Sequence, residues 1–448
     1  MPYSQFTLDA VASQLAVLLD DENEYYWTRQ EKILAIWEAM LYWGAATSYW
    51  RTRGPFNLTP TQPYYDLSVV LPALRQRTWT LQQLVVEIQY MLLEAPNGIL
   101  GHGMSGQLTV QSILEAIQRA RNHFILDTHI PYAANTIPSP PSPDGMATFP
   151  QTSVYVHRAA WMDGFTQKWT NLWRQDAWAA DKSMPQWTVQ QDSPVYYSES
   201  ENSPLKLQLI PAPMNAGQLE AITVDSLVLD LTNSQATFGV PDEWVHAIKY
   251  AALSDLLGGE GQIHDPVRAQ YAEMRYQQSV DMARNGRSII RLLAQGVPLP
   301  LDSLAAIDAA RPYWRNQSGP PEVAGALYDF LAVAPVPDQL YGMAADVVQS
   351  APLPAQGPDG FLQLGAEDIP HIIDYASHIL VFKCGGKEFQ DSFPAFDSFM
   401  HAVEGRGQIN KAKIRYLTPL FAQPEKEQQE RPDKLVGAGS ARQGEART

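Results

Sequence analysis

The stretch VPDEWVHAIKYAALSDLLGGEG, residues 240–261, sets the reading of the whole chain. Pro241 stands just inside a helix start, where its missing N–H is harmless, and Asp242 and Glu243 complement the positive end of the helix dipole. Val245, Ile248, Ala252 and Leu256 recur at the spacing of one buried helical face, and Gly258 or Gly259 supplies a left-handed stop. A partner helix opens at Pro266 within HDPVRAQYAEMRYQQSVDMA and presents Tyr271, Met274, Gln278 and Met282. Ala251, Ala252 and Ala269 let the two approach closely. The spacing therefore predicts an antiparallel helical pair over 241–300.

Upstream, the pattern is helical with good start signals. Leu8, Val11, Leu15 and Leu18 form one face behind a capping Thr7. Thr28 with Glu31, and Thr80 with Gln83, are capping boxes opening helices through Ile33, Trp37, Met40 and Gly44, and through Leu84, Ile88 and Met91. Ile113, Ile117, Ala120 and Phe124 mark a fourth helix, and YYDLSVVLP (64–72) reads as a short strand. NTIPSPPSPDGMATFPQ (135–151) has no apolar period and reads as a linker or extended arm. After it the period becomes two, in SVYVHRAAW (153–161), PLKLQLI (204–210) and LEAITVDSLVLDL (219–231).

From 301 the chain reads as helical again, interrupted by APVPDQL (334–340) and APLPAQGPDG (351–360). IPHIIDYASHILVFKCGG (369–386) echoes the 240 region, a likeness that shared helix stops explain as well as duplication does. The expected layout is thus a helical domain over 1–134, a proline-rich linker or arm over 135–152 and a β-rich domain over 153–240. The helical pair follows over 241–300, then a C-terminal helical region over 301–420 and a polar tail over 421–448. The fold class this implies is α+β and predominantly α-helical, with helical bundles flanking a small antiparallel β-sandwich or barrel-like sheet and with extended arms.

Composition narrows the function classes. The 448 residues, 45% hydrophobic, supply cores for two or three domains. The formal net charge of −16, from 48 acidic and 32 basic side chains, argues against sequence-specific DNA binding. It suits ordinary solubility, or a wall past which DNA slides without sticking. No window is long and apolar enough to cross a bilayer and the N-terminal MPYSQFTLDA lacks the order of a signal peptide, so a soluble chain made in a cytoplasm and free of membrane is expected. Cys384 is the single cysteine, which excludes an intrachain disulfide and a multi-cysteine metal site.

Chemical motifs are weak. GHGMSG (101–106) matches the dinucleotide glycine pattern and Asp127 follows it, but the preceding LQQLVVEIQYMLLEAP is helix-like where the fingerprint requires a strand. There is no G-x-S-x-G elbow and no phosphate-binding G-x-x-x-x-G-K-[ST] loop. His371 and His378 lie two helical turns apart, too far to share a metal. Asp20 with Asp21, and Glu388 with Asp391, are arbitrary pairs among 48 carboxylates. No catalytic, cofactor-binding or metal-ligating residue is assigned, no cofactor is expected, and the chain is read as a non-enzyme. Trp27, Trp37, Trp43 and Trp50, and then Trp161, Trp169, Trp173, Trp178 and Trp187, are the visible excess, with core packing the default and a protein interface next.

Three stretches carry a resemblance: WTRQEKILAIWEAMLYWGAATSYWR (27–51), MPQWTVQQDSPVYYSESENSPLKLQLIPAP (184–213), and VPDEWVHAIKYAALSDLL (240–257) with DPVRAQYAEMRYQQSVDMA (265–283). In that order they resemble the early helix, short β segment and helical pair of connector-type structural proteins of tailed bacteriophages, the head-to-tail adaptors or neck proteins. The resemblance covers about residues 7–285. It implies a homo-oligomeric ring in the virion, assembled in the host cytoplasm, docked on the portal protein and joined to tail or neck proteins. DNA would pass its channel during genome ejection without sequence-specific binding. Another tail or collar protein, or a virion-associated cell-wall hydrolase, stands as the alternative.

Overall fold

The computed structural model describes residues 6–71, 74, 76–93, 108–138, 145–199, 205–226, 229–259, 263–286, 288–356 and 360–417. Eight helices longer than two turns gather into one core: α1 (Leu8–Leu18), α2 (Arg29–Thr47), α3 (Leu81–Met91), α4 (Val110–Thr128), α5 (Val245–Gly258), α6 (Pro266–Asn285), α7 (Ile369–Val381) and α8 (Phe393–Leu417). Local chemistry fixes their starts. Thr7, Thr28, Thr80 and Thr109 each accept a first-turn backbone N–H, and the boxes at Thr28/Glu31 and Thr80/Gln83 are both closed. The apolar faces then collapse on each other. α2 packs against α7 and α8, and α5 against α4 and α6, so segments from both ends of the chain share one core.

The helical pair at 240–285 forms, with a different interior from the one its spacing suggests. Val245 to Tyr250 are all buried, so the first half of α5 is enclosed on every side, and Leu253 and Leu257 continue its inner face where Leu256 was expected. α6 turns Tyr271, Ala272, Arg275, Tyr276, Ser279, Val280 and Ala283 inward, while Met274 is exposed. Gly259, the C-cap of α5, is extended (φ −64°), so the stop is not left-handed. The echo after α7 differs on this point: Gly385 and Gly386 do adopt positive φ, +64° and +54°. Asp242 spends its carboxylate on a different helix start, accepting the backbone N–H groups of Thr78 and Trp79.

The chain is α+β, yet the expectation of helical dominance around one small sandwich is overturned. Among the described residues helix makes up 43% and strand 26%, the latter spread over several sheets that include a seven-stranded curled half-barrel. That half-barrel has the strand order Tyr132–Pro138, Gly217–Asp225, Ser153–Asp163, Trp169–Arg174, Tyr196–Glu199, Lys206–Ile210, Met146–Thr148. The expected linker at 135–152 thus supplies both of its outer strands. The half-barrel has a core of its own, with Phe149, Trp161, Leu172, Leu207, Leu209 and Leu219 on its inner surface.

The sandwich lies elsewhere and joins distant segments. Arg51–Leu58, Tyr341–Val348, Ile289–Ala294 and Val297–Leu299 form one four-stranded sheet; Leu301–Asp302, Val323–Leu327, Phe330–Ala334 and Tyr64–Asp66 form the other. Phe56, Leu58, Leu292, Met343 and Val347 of the first sheet meet Tyr65, Leu331 and Val333 of the second. The region expected as helical over 301–420 is therefore mainly strand up to Val348, with Leu304–Ala310 as an intervening short helix. Among the described residues no helix is long and apolar enough to cross a membrane. The GHGMSG run and the polar tail 421–448 lie outside the described residues.

Candidate functional site

The centre of the helical core carries charge. Glu38 of α2 and Glu87 of α3 both accept from Lys249 of α5, Glu38 in the closer contact and Glu87 at 3.2 Å. Tyr250 donates to Glu38 Oε1 at 2.8 Å and Tyr375 of α7 to the same oxygen at 3.1 Å. Tyr375 in turn accepts from Arg275 Nη2 of α6 at 2.5 Å. That fully buried guanidinium also reaches Gln278 and sits 4.4 Å over the Tyr42 ring and 5.0 Å over Phe396. One ammonium, one guanidinium and two carboxyl groups therefore share one interior, which is how a buried charge set is tolerated. Five helices are tied together through it.

The electrostatics follow from that geometry. Burial raises the Glu38 carboxyl, but Lys249 and the tyrosine hydroxyls more than reverse this and hold it below its ordinary value. Glu87 goes the other way: burial, with Glu38 opposing it as a like charge, pushes it up to about 7 despite Lys249. Burial likewise pushes His246 down to about 3, keeping it neutral beside Arg275 and Lys249. His378 is also driven to about 3 by burial and is held between Ser392 and Tyr271 at 2.7 and 2.9 Å.

Glu87 gives a test. Its folded value lies above its ordinary 4.5, so its contribution to stability is present below about 4.5 and is lost as pH rises toward 7. The total is on the order of 3 kcal/mol. The Glu87→Gln variant is expected to flatten the pH dependence of urea unfolding across that window, and an unchanged slope would locate the titration elsewhere. Glu87 Oε1 has no hydrogen-bond partner within the chain and belongs to a side chain lining a cavity of about 30 Å³, together with Glu31, Glu38, Lys249 and Lys383. The space suffices for a water molecule. It is too small for an organic substrate, and its ionic groups are already engaged with one another.

The residues weighed from the sequence go to separate places. His371 stacks beside Trp43, 6.3 Å between ring centroids, and does not meet the partners of His378. Asp21 is buried and accepts the backbone N–H groups of Tyr25, Tyr26 and Trp27, which ties down the loop ahead of α2. Among the described residues no group of three His, Cys, Asp or Glu is arranged to hold a metal. Trp43, Trp161, Trp244 and Trp314 are core residues. Glu38, Glu87, Lys249 and Arg275 went unassigned in the sequence. The available signal was a charged residue inside an otherwise apolar helical window, as in ILAIWEAML and VHAIKYAAL.

Six of the exposed large apolar side chains among the described residues lie on the curled sheet and its connections. Phe165 is 87% exposed, Trp178 77% and Trp173 50%, and Val189, Val195 and Met214 are exposed with them. The backbone links their segments into one rim. Gly164, next to Phe165, bonds Ala216 at 2.8 Å; Met214 bonds Asp192 at 3.3 Å; Trp173 bonds Val195 at 3.0 Å. Ile210 packs with Ala180 and Trp187, which brings the short helix Ala177–Ser183, bearing Trp178, against the same rim. Exposed large apolar side chains on linked segments are the kind of feature found at interaction surfaces. No family model matches the chain, and no curated protein matches its sequence.

Proposed function

We propose that this chain is a structural virion protein of a tailed bacteriophage, a ring-forming head-to-tail adaptor or neck component that docks on the portal and lets DNA pass toward the tail. The observation that carries the reading is the apolar rim of Phe165, Trp173, Trp178, Val189, Val195 and Met214, a surface that another subunit would cover. The resemblance over residues 7–285 supplies the kind of assembly. Ring closure makes every contact heterologous, so one weakened rim loosens every joint at once. The net charge of −16 suits a channel past which DNA slides.

The test is the mass of the assembled species. The full chain, alone and mixed with portal protein, is expected to give a closed oligomer by native mass spectrometry. The double variant Phe165→Glu, Trp178→Glu is expected to give monomer with unchanged helical signal, since both side chains are exposed. A wild-type chain that stays monomeric with and without portal would end this reading.

A further inference from the structure

A second seam of the molecule has the make-up of a ligand site. The outer face of the curled sheet meets the sandwich over Ile222, Tyr64, Ile307 and Trp314, and beyond that apolar patch the two units part to leave a cavity of about 380 Å³. Cavities at such junctions are where ligands are held. Its walls are Trp169, Thr136, Gln218 and Glu220 from the curled sheet, and Arg315 and Gln317 from the segment that follows the short helix Leu304–Ala310.

Three features set the ligand chemistry. First, the charges at the floor cancel: Arg315 Nη2 donates to Glu220 Oε2 at 2.5 Å, so a net-charged ligand would find no counter-charge left over. Second, the rim carries hydrogen-bonding capacity of both kinds. Glu220 and Arg315 are only 7% and 9% exposed, and Glu220 Oε1 and Arg315 Nε are closed off beneath the cavity, so the pair is a neutral polar floor. Around it stand Thr136, Gln218 and Gln317, whose hydroxyl and carboxamides both donate and accept. Third, the indole of Trp169 is fixed in advance. Arg315 lies 4.6 Å over its ring, and its backbone N–H and C=O are both bonded to the Asn316 carboxamide, at 2.7 and 2.9 Å.

We propose that this seam binds a neutral polyhydroxyl ligand, a saccharide, with its ring against Trp169 and its hydroxyls on the amide rim above the neutral Glu220–Arg315 floor. A hydroxyl both donates and accepts, as the Gln218 and Gln317 carboxamides do, and the volume suits one or two sugar rings. A peptide suits the seam less well, because Pro63 and Val336 are its main apolar lining and offer little side-chain pocket. The proposal does not depend on the assembly reading, since the site lies within one chain.

Saturation-transfer NMR on the full chain decides it, with methyl glucoside, N-acetylglucosamine, maltotriose and triglycine as probes. Transfer to a sugar, at least tenfold weaker in the Gln218→Ala, Gln317→Ala double variant, is the expected result. Gln317 is exposed and Gln218 half-buried, so that variant should keep the fold, which unchanged unfolding by urea would verify. Maltotriose binding more tightly than methyl glucoside would point to a polymer end as the source, and equal binding to a free sugar. No transfer to any sugar, equal transfer in the double variant, or transfer to triglycine alone would each overturn the proposal. Native mass spectra of the same variants keep this result separate from any change in assembly.

Discussion

Lys249→Met is expected to cost about 3–5 kcal/mol of folding stability, because it leaves the Glu38 and Glu87 carboxylates facing each other in an interior without their shared cation. The shape of the methionine is tolerable; the uncompensated charge is not. Adding Glu87→Gln to the same chain is expected to recover much of the loss, since it leaves Glu38 alone to balance Arg275, to which Tyr375 links it. Urea unfolding followed by far-ultraviolet circular dichroism measures both. A loss below about 1 kcal/mol for the single variant, the size of an exposed pair, would mean that water reaches the cluster.

Asp308→Ala should act as strongly, but in another place. Asp308 accepts from Arg158 at 2.7 and 3.1 Å, from Asn171 at 3.0 Å and from the Trp314 indole at 2.8 Å. It therefore clamps the strands Ser153–Asp163 and Trp169–Arg174 of the curled sheet to the sandwich. Without it Arg158 keeps only Tyr64 and Asn171 as partners and stays buried with its charge unmatched, at a cost of about 3–5 kcal/mol. Hydrogen exchange is expected to accelerate in those two strands while α2 and α7 stay protected, because the curled sheet holds a separate core. Equal loss of protection in α2 and α7 would show that all the cores melt as one.

Helix starts were readable because their cause is local. Thr28 with Glu31 and Thr80 with Gln83 close their hydrogen bonds within four residues, so tertiary context cannot hide them. The strands of the sandwich were hidden by chain distance and by short apolar runs that fit a buried helix equally well. YGMAADVV does alternate, with Tyr341, Met343, Ala345 and Val347 buried, but Ala344 and Ala345 blur the period. Its strand partner Arg51–Leu58 lies almost 300 residues earlier, where no window of sequence reaches. The proline-rich 135–151 misled for a different reason: Tyr132–Pro138 and Met146–Thr148 are edge strands, where a missing N–H costs nothing. The ion cluster was legible only as odd charges in apolar helices, since its members come from five separate elements.

The helical core is assembled from both ends of the chain, and Tyr375 reaches Glu38 across 337 positions. On the ribosome, α1 and α2 therefore emerge with apolar faces whose covering helices, α7 and α8, have yet to be made. The curled sheet, drawn from one continuous stretch, can close meanwhile. A nascent chain halted before residue 369 holds a finished β unit beside an uncovered α2, a natural client for a holding chaperone.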